Sequence, residues 1–140
     1  MVDQLTVFLE NEKGRLAALA RTLGEADFSM RALTVADSAK YGVVRILIDQ
    51  APEAYELLSG QGFRAALTKV FAVEVPNVAG GLAKLLEAFE AAEINVDYAY
   101  CFVNEDNKAI DIIRTDKIEE ATAVIKASGF KSLETADLFA

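Results

Sequence analysis

The chain has 140 residues, of which 53% are hydrophobic, and its formal net charge is −8 with a pI near 4.6. This acidic balance repels nucleic-acid phosphates and anionic lipids, so it argues against both as partners. The sequence has one cysteine, no histidine and no long apolar segment, so we expect no internal disulfide, no membrane span and a cytoplasmic location.

An internal repeat is the strongest signal in the sequence. The run Asn11–Leu16 recurs as Asn77–Leu82, so that Gly14 and Gly80 are equivalent (80 − 14 = 66). A second pair of runs, 62–64 and 129–131, recurs at a spacing of 67, which requires one inserted residue between the two pairs. A duplicated module predicts a pseudo-two-fold axis, about which the two equivalent loops face each other across an internal interface.

The first half reads as a βαββαβ unit. Apolar residues alternate at Leu5, Val7 and Leu9, which predicts a strand, and an apolar period of three to four residues then predicts a helix from near Gly14 to Gly24. The remaining predicted elements of this half are the strand Phe28–Asp37, the turn Ser38–Lys40, the strand Tyr41–Asp49, the helix Pro52–Leu58 and a strand from Phe63 to about Lys69.

The second half repeats this order without a linker. Its predicted elements are the strand Val70–Val75, the helix Gly80–Ala92, the strand Val96–Val103, the turn Asn104–Asn107, the strand Lys108–Thr115, the helix Lys117–Ala127 and a strand from Phe130 to the end. Each unit predicts an antiparallel sheet with helices on one face, the ferredoxin-like arrangement of the α+β class. We expect two modules, residues 1–69 and 70–140, whose sheets pair side by side.

Both predicted strand–helix loops have features that suit a carboxylate. A helix N-terminus offers free N–H groups and partial positive charge, and Gly14, Gly80 and Gly81 let a ligand approach the backbone. The side-chain oxygens that are available for an ammonium group belong to Asn11, Asn77, Asn95 and Asp97. The alternative is structural, because an Asn three residues before such a glycine also suits an ordinary helix N-cap.

One further pair of charges stands at equivalent positions. Arg45 and Asp111 lie 66 positions apart in the predicted third strands (111 − 45 = 66). Opposite charges at such sites could pair across the pseudo-two-fold axis, but a solvated face of the sheet explains them better.

The sequence resembles the ACT domain family. The resemblance lies in the βαββαβ order, in the runs Glu74–Leu82 and Val44–Asp49, and in Asn95-Val96 at the start of a strand. It covers nearly the whole chain and is closest to small stand-alone proteins made of two ACT domains. The family's loop often reads Asp, any residue, Pro, Gly, whereas this chain has Asn at the first position and Lys13 or Ala79 at the third.

The resemblance implies that a small ligand, usually an amino acid, binds between two ACT modules. The expected contacts are the loop after the first strand and the start of the second strand of the facing module. The corresponding residues here are Asn11, Lys13, Gly14, Arg15, Leu16, Ser29, Met30, Asn77, Val78, Ala79, Gly80, Gly81, Leu82, Asn95, Val96 and Asp97.

A regulatory role fits these residues better than catalysis. Cys101 has no imidazole to activate it, and the carboxylates show neither a converging pair nor a metal-binding spacing, so we expect no enzymatic activity, metal or cofactor. We expect a homodimer that senses an amino acid and acts on an unidentified target enzyme. The alternative is a ligand-free adaptor for protein–protein interaction or a regulatory subunit of an amino-acid metabolic enzyme. The adaptor would use apolar residues on the helix-free sheet faces, namely Phe8, Val43, Leu47, Tyr98 and Tyr100.

Overall fold

The computed structural model describes residues 1–38 and 40–139 and divides into two compact units. The N-terminal unit contains Asp3–Thr68 together with Phe139, and the C-terminal unit contains Lys69–Leu138 together with Met1–Val2. No helix among the described residues is long and apolar enough to cross a membrane.

The N-terminal unit confirms the predicted βαββαβ order. Its sheet has the strand order β2-β3-β1-β4, and β3 runs antiparallel to both of its neighbours. Its elements are β1 (Val2–Glu10), α1 (Arg15–Glu25), β2 (Met30–Asp37), β3 (Tyr41–Ile48), α2 (Ala51–Gly60) and the first residues of β4 (Arg64–Val75).

The C-terminal unit repeats the arrangement. Its sheet has the strand order β7-β4-β6-β5, with antiparallel pairing throughout, and uses the later residues of β4. The further elements are α3 (Gly81–Ala91), β5 (Tyr98–Val103), β6 (Ala109–Arg114), α4 (Ile118–Ala127), β7 (Lys131–Leu133) and α5 (Thr135–Leu138). The ferredoxin-like class is therefore confirmed for both modules.

Each sheet packs one face against its two helices, because alternate strand residues point to the same side. In the N-terminal unit Leu5, Val7 and Leu9 of β1 share a core with Leu19 and Leu23 of α1. The matching core of the C-terminal unit contains Phe71, Val73, Val75, Leu85, Phe89, Ile94, Ile113, Ala121 and Ile125.

The single inserted residue lies in the hairpin between the second and third strands of the C-terminal unit. In the first hairpin Asp37 pairs with Gly42, whereas in the second Val103 pairs with Ala109, so four residues separate the first pair and five the second. Asn104 shapes the longer turn, because its side-chain oxygen accepts the backbone N–H groups of Asp106 and Lys108 at 3.0 Å each.

The predicted strand from Phe130 to the end is wrong beyond Leu133. The chain turns instead into α5, and the Asp137 carboxylate accepts the backbone N–H of Glu134 at 2.8 Å. An acid three residues into a helix that bonds the residue before it is half of a capping box, which stabilises a helical turn.

Candidate functional site

The two strand–helix loops have the same backbone hydrogen-bond pattern. In the first loop the backbone N–H of Glu12 donates to the carbonyl oxygen of Glu10 at 2.8 Å, that of Arg15 to Glu12 at 3.3 Å and that of Ala18 to Gly14 at 3.0 Å. In the second loop the equivalent donor–acceptor pairs are Val78 to Pro76 at 2.8 Å, Gly81 to Val78 at 3.1 Å and Lys84 to Gly80 at 3.2 Å. Each pair lies 66 positions from its counterpart, so the repeat extends to the backbone geometry of the loops.

Glycine is required at the start of both helices. Gly14 and Gly80 are the N-cap residues of α1 and α3, with φ angles of 88° and 83°, in the left-handed region that other residues rarely adopt. Gly81 is buried, and a Cβ built on it would lie 2.3 Å from the carbonyl oxygen of Pro76. The second loop therefore tolerates no side chain at Gly81 without moving.

The prediction that Asn11 and Asn77 cap these helices is wrong. Within the described residues neither helix has a side-chain hydrogen bond at its N-cap. Asn77 instead donates from Nδ2 to Oδ1 of Asn107 at 3.0 Å, and Asn11 uses its backbone N–H to bind the carbonyl of Lys40 at 3.0 Å. The first helical residues, Arg15 and Gly81, already donate their N–H groups to loop carbonyls. Because no side chain caps either helix, the N–H groups of the next two residues of each helix remain open to a ligand.

The electrostatics of the two loops differ. The first loop carries Glu12 and Lys13, and Arg15 forms an ion pair with Glu10 at 2.9 Å and stacks on the Phe63 ring at 5.5 Å. The second, from Pro76 to Ala83, has no charged residue, so nothing on the loop itself offsets the positive end of the α3 dipole.

Apolar side chains flank both loops. Leu16 and Leu82 occupy equivalent first-turn positions and are 43% and 41% exposed, and Val78 is 69% exposed. Exposed aliphatic groups beside open N–H groups suit a small molecule with a carboxylate and an apolar part.

The starts of the second strands lie at the other end of each sheet. Asp97 donates its backbone N–H to the carbonyl of Arg114, at the end of β6, and its carboxylate accepts Nδ2 of Asn95 at 3.2 Å. In the N-terminal unit Ser29 likewise donates its N–H to the Asp49 carboxylate at 2.9 Å, and Met30 begins β2. Within one unit, the structure therefore does not bring Asn95, Val96 and Asp97, or Ser29 and Met30, to the loop of the same unit.

The prediction that Asp111 lies on a solvated face of the sheet is wrong, and Asp111 was therefore not among the predicted site residues. It pairs with Val73, as Val44 pairs with Val7, so the inserted hairpin residue makes Asp111 the counterpart of the core residue Val44 and not of Arg45. Only 3% of Asp111 is exposed, and burial raises the pKa of its carboxyl. Aligning the two third strands at a spacing of 67 would have placed it on the helix-facing side.

The apolar surface predicted for the helix-free sheet faces is only partly present. Phe8 is exposed, whereas Leu47 is completely buried, so the expectation that Leu47 is exposed is wrong. Val43, Tyr98 and Tyr100 are half-buried. Among the described residues there is also no group of three or more His, Cys, Asp or Glu side chains that could hold a metal ion.

Comparison with known proteins identifies the family. Protein BT0572 from Bacteroides thetaiotaomicron is 32% identical, with a TM-score of 0.92 over 99% of this chain and 95% of that chain. The aspartate kinase regulatory subunit from Thermus thermophilus, in a ligand-free form, has 16% identity and a TM-score of 0.63 over 91% of this chain and 92% of that chain. The one from Thermus flavus has 17% identity and a TM-score of 0.60 over 90% and 91%.

The two Thermus structures share the fold of this chain. Among curated proteins, none matches the chain in sequence. The family model for an ACT domain pair matches residues 1–140. The chain therefore belongs to the family of ACT domain pairs.

Proposed function

We propose that this protein is a regulatory sensor that binds a free amino acid at the loop between β4 and α3 and has no catalytic activity of its own. The observation that carries the proposal is the N-terminus of α3, which has no side-chain cap and no charge on its loop. Membership of the ACT domain pair family supports small-ligand binding as the purpose of such a loop.

The loop offers complementary groups for two parts of an amino acid. The carboxylate would accept the N–H groups of Leu82 and Ala83, since those of Gly81 and Lys84 already bind carbonyls of the chain. The exposed side chains of Val78 and Leu82 would contact the apolar part of the ligand. The first loop is the weaker candidate, because Glu10 and Glu12 place two carboxylates close to the N-terminus of α1.

The family arrangement assigns the remaining contacts to a facing ACT module. Asn95 and Asp97 lie at the opposite end of the sheet from the loop of their own unit, so they would serve a ligand that is held by another module's loop. Binding would then favour one arrangement of modules over another. The strength of the signal to a target enzyme is limited by the ligand's differential affinity for the two arrangements.

A thermal-shift screen against the twenty common amino acids tests ligand binding. A ligand at 100 times its Kd adds about 2.7 kcal/mol to the free energy of unfolding, which is readily measured as a rise in Tm. We expect a rise with one chemical class of amino acid, to be confirmed by calorimetric titration. A flat profile across all twenty would contradict the proposal.

A matched pair of variants locates the site. Leu82→Glu places a carboxylate at the first turn of α3, where it suits the helix dipole but repels a ligand carboxylate. Leu16→Glu makes the same change at the equivalent, equally exposed position of α1. We expect Leu82→Glu to abolish the ligand-induced shift and Leu16→Glu to preserve it, and the reverse result would assign the site to the first loop.

The adaptor function remains the second candidate because of one surface. Leu33 and Val35 on the edge strand β2 are 42% and 46% exposed, although they pair with the core residues Ile46 and Val44. An apolar strand at a sheet edge suits contact with another protein chain. A stable fold that responds to no amino acid but loses a target protein when Val35 becomes Lys would favour this function.

A further inference from the structure

Asp111 is a buried carboxyl group that the fold does not require. It is 3% exposed, and within residues 1–38 and 40–139 its side chain makes no hydrogen bond or ion pair with another residue, although its carboxylate oxygens are not completely enclosed. Burying such a group without a partner is costly, and the equivalent place in the N-terminal unit is filled by Val44 at no such cost. An unpartnered acid in a core therefore needs an explanation outside the folding of the chain.

The surroundings of Asp111 are apolar on three sides. The register places it between Ala109 and Ile113 on its own strand and opposite Val73 on β4, and all three residues belong to or pack against the core of the C-terminal unit. No cation of the chain lies at any of these positions.

The fourth side is open. On β5, Asp111 is opposite Cys101, which is exposed, and its neighbours on the same face, Ala99 and Val103, are exposed as well. Side chains at directly paired positions have Cβ atoms about 5 Å apart, so the carboxyl lies one side chain inside this edge. Ala99 and Cys101 are small, and together with Val103 they form an exposed strip along β5 beside Asp111, which we call the shelf.

We propose that Asp111 is the anion that binds a primary ammonium group of the ligand, and that the ligand lies on the shelf formed by Ala99, Cys101 and Val103. This inference rests on the proposed amino-acid sensing and names its ammonium acceptor. A charge-assisted hydrogen bond in a mostly apolar surrounding is strong, so the missing partner of Asp111 is supplied when the ligand binds. Asp97, the acceptor expected from the sequence, is exposed and already bonded to Asn95.

Calorimetric titration with the amino acid that shifts Tm tests the inference directly. We expect Asp111→Asn and Asp111→Val to weaken binding by about tenfold or more, because each removes the charge, while Asp27→Asn, at an exposed position outside the proposed site, changes Kd less than about threefold. Titrating the matching 2-hydroxy acid shows whether the α-ammonium is the bound group, and comparing lysine with norleucine does the same for a side-chain ammonium. Unchanged Kd values in both Asp111 variants would overturn the inference.

A second experiment needs no identified ligand. The Cys101 thiolate attacks aminoethyl methanethiosulfonate and releases methanesulfinate, which leaves an aminoethyl disulfide beside Asp111; the ethyl reagent gives the same group without the charge. We expect the aminoethyl form to have the higher Tm in the wild-type protein and this difference to disappear in Asp111→Asn. Equal Tm values for the two forms of the wild type would contradict ammonium binding by Asp111. If the two forms differ in Tm but no amino acid shifts the Tm in the screen, ammonium binding by Asp111 stands and only the proposed amino-acid sensing is contradicted.

Discussion

The carbonyl oxygen of Pro76 occupies the space that a side chain on Gly81 would need, at 2.3 Å from the Cβ position. Because the blocking atom belongs to the backbone, Gly81→Ala can be accommodated only by moving the loop or the start of α3. We expect the free energy of unfolding to fall by about 1–3 kcal/mol, measured by urea denaturation.

Gly24 provides the matched control for this change. It lies near the end of α1 with nothing within 4 Å of its Cβ position and without a positive φ. We expect Gly24→Ala to stabilise the protein by about 0.5–1 kcal/mol, since alanine favours the helix and restricts the unfolded chain. If both variants changed stability in the same direction, the close approach of Pro76 would not be what constrains Gly81.

The Asp111 carboxyl makes the stability of the protein depend on pH in an unusual direction. Burial raises its pKa in the folded state above its ordinary value of 3.8, so the folded protein keeps this proton to a higher pH than the unfolded chain does. The destabilisation of the folded state by this carboxyl is absent below that value, and it grows as pH rises from there to the raised pKa.

We therefore expect Asp111→Asn to have a stability close to that of the wild type at pH 4 and to exceed it by about 1–3 kcal/mol at pH 7. Urea denaturation at the two pH values measures the difference, and Asp97→Asn is the exposed control. Val44→Asp should place a carboxyl at the equivalent position of the N-terminal unit and also remove a packed valine, so we expect a loss of at least about 3 kcal/mol at pH 7. A wild type that is more stable than Asp111→Asn at pH 7 would contradict the role of burial.

Thr6 joins a short chain of polar groups in the N-terminal unit. Its hydroxyl lies 3.0 Å from that of Thr68 and accepts Nε2 of Gln4 at 3.0 Å, and Thr6 and Gln4 are buried. We expect Thr6→Val to cost about 1–2 kcal/mol, because it leaves buried polar groups without this partner. Thr122→Val, on the exposed face of α4, should change the free energy of unfolding by no more than about 0.5 kcal/mol. A similar loss for both variants would show that the hydrogen bonds of Thr6 add no stability of their own.

We expect the protein to be a homodimer in solution, since β2 lies at the end of its strand order and leaves Leu33 and Val35 exposed. Light scattering after size exclusion should give twice the chain mass. Val35→Lys should shift the mass toward the monomer, because a lysine on an edge strand opposes pairing. Val78→Lys, at a more exposed position outside the strands, should leave the mass unchanged, and a monomeric wild type would contradict the expectation.

The fold could be predicted because its signals are periodic and occur twice. The alternation of Leu5, Val7 and Leu9 predicts both the strand and the strand face that packs on α1. The repeat at Gly14 and Gly80 then predicts that the second module has the same fold as the first. The four-residue helix α5 was not predictable in this way, because it depends on one contact between Asp137 and the Glu134 backbone.

The candidate site was harder to predict because it depends on single atoms and single positions. Asn11 and Asn77 have side chains that suit helix caps. In the structure, however, a glycine in the left-handed region forms the turn at the start of each helix, and neither Asn side chain bonds to the helix N-terminus. For Asp111 the error was one residue of register, and in a strand a shift of one residue exchanges the two faces.

The continuous strand β4 fixes where this chain can be cut. Its residues from Arg64 to Thr68 belong to one unit and those from Lys69 to Val75 to the other, so a cleavage at the middle of the repeat would break a strand and not a linker. A fragment that starts at residue 70 would also lack Met1, which packs against the core of the C-terminal unit. Inserted tags and circular permutations should therefore be placed in the exposed turn from Glu105 to Asn107, where the chain already differs in length between its two copies.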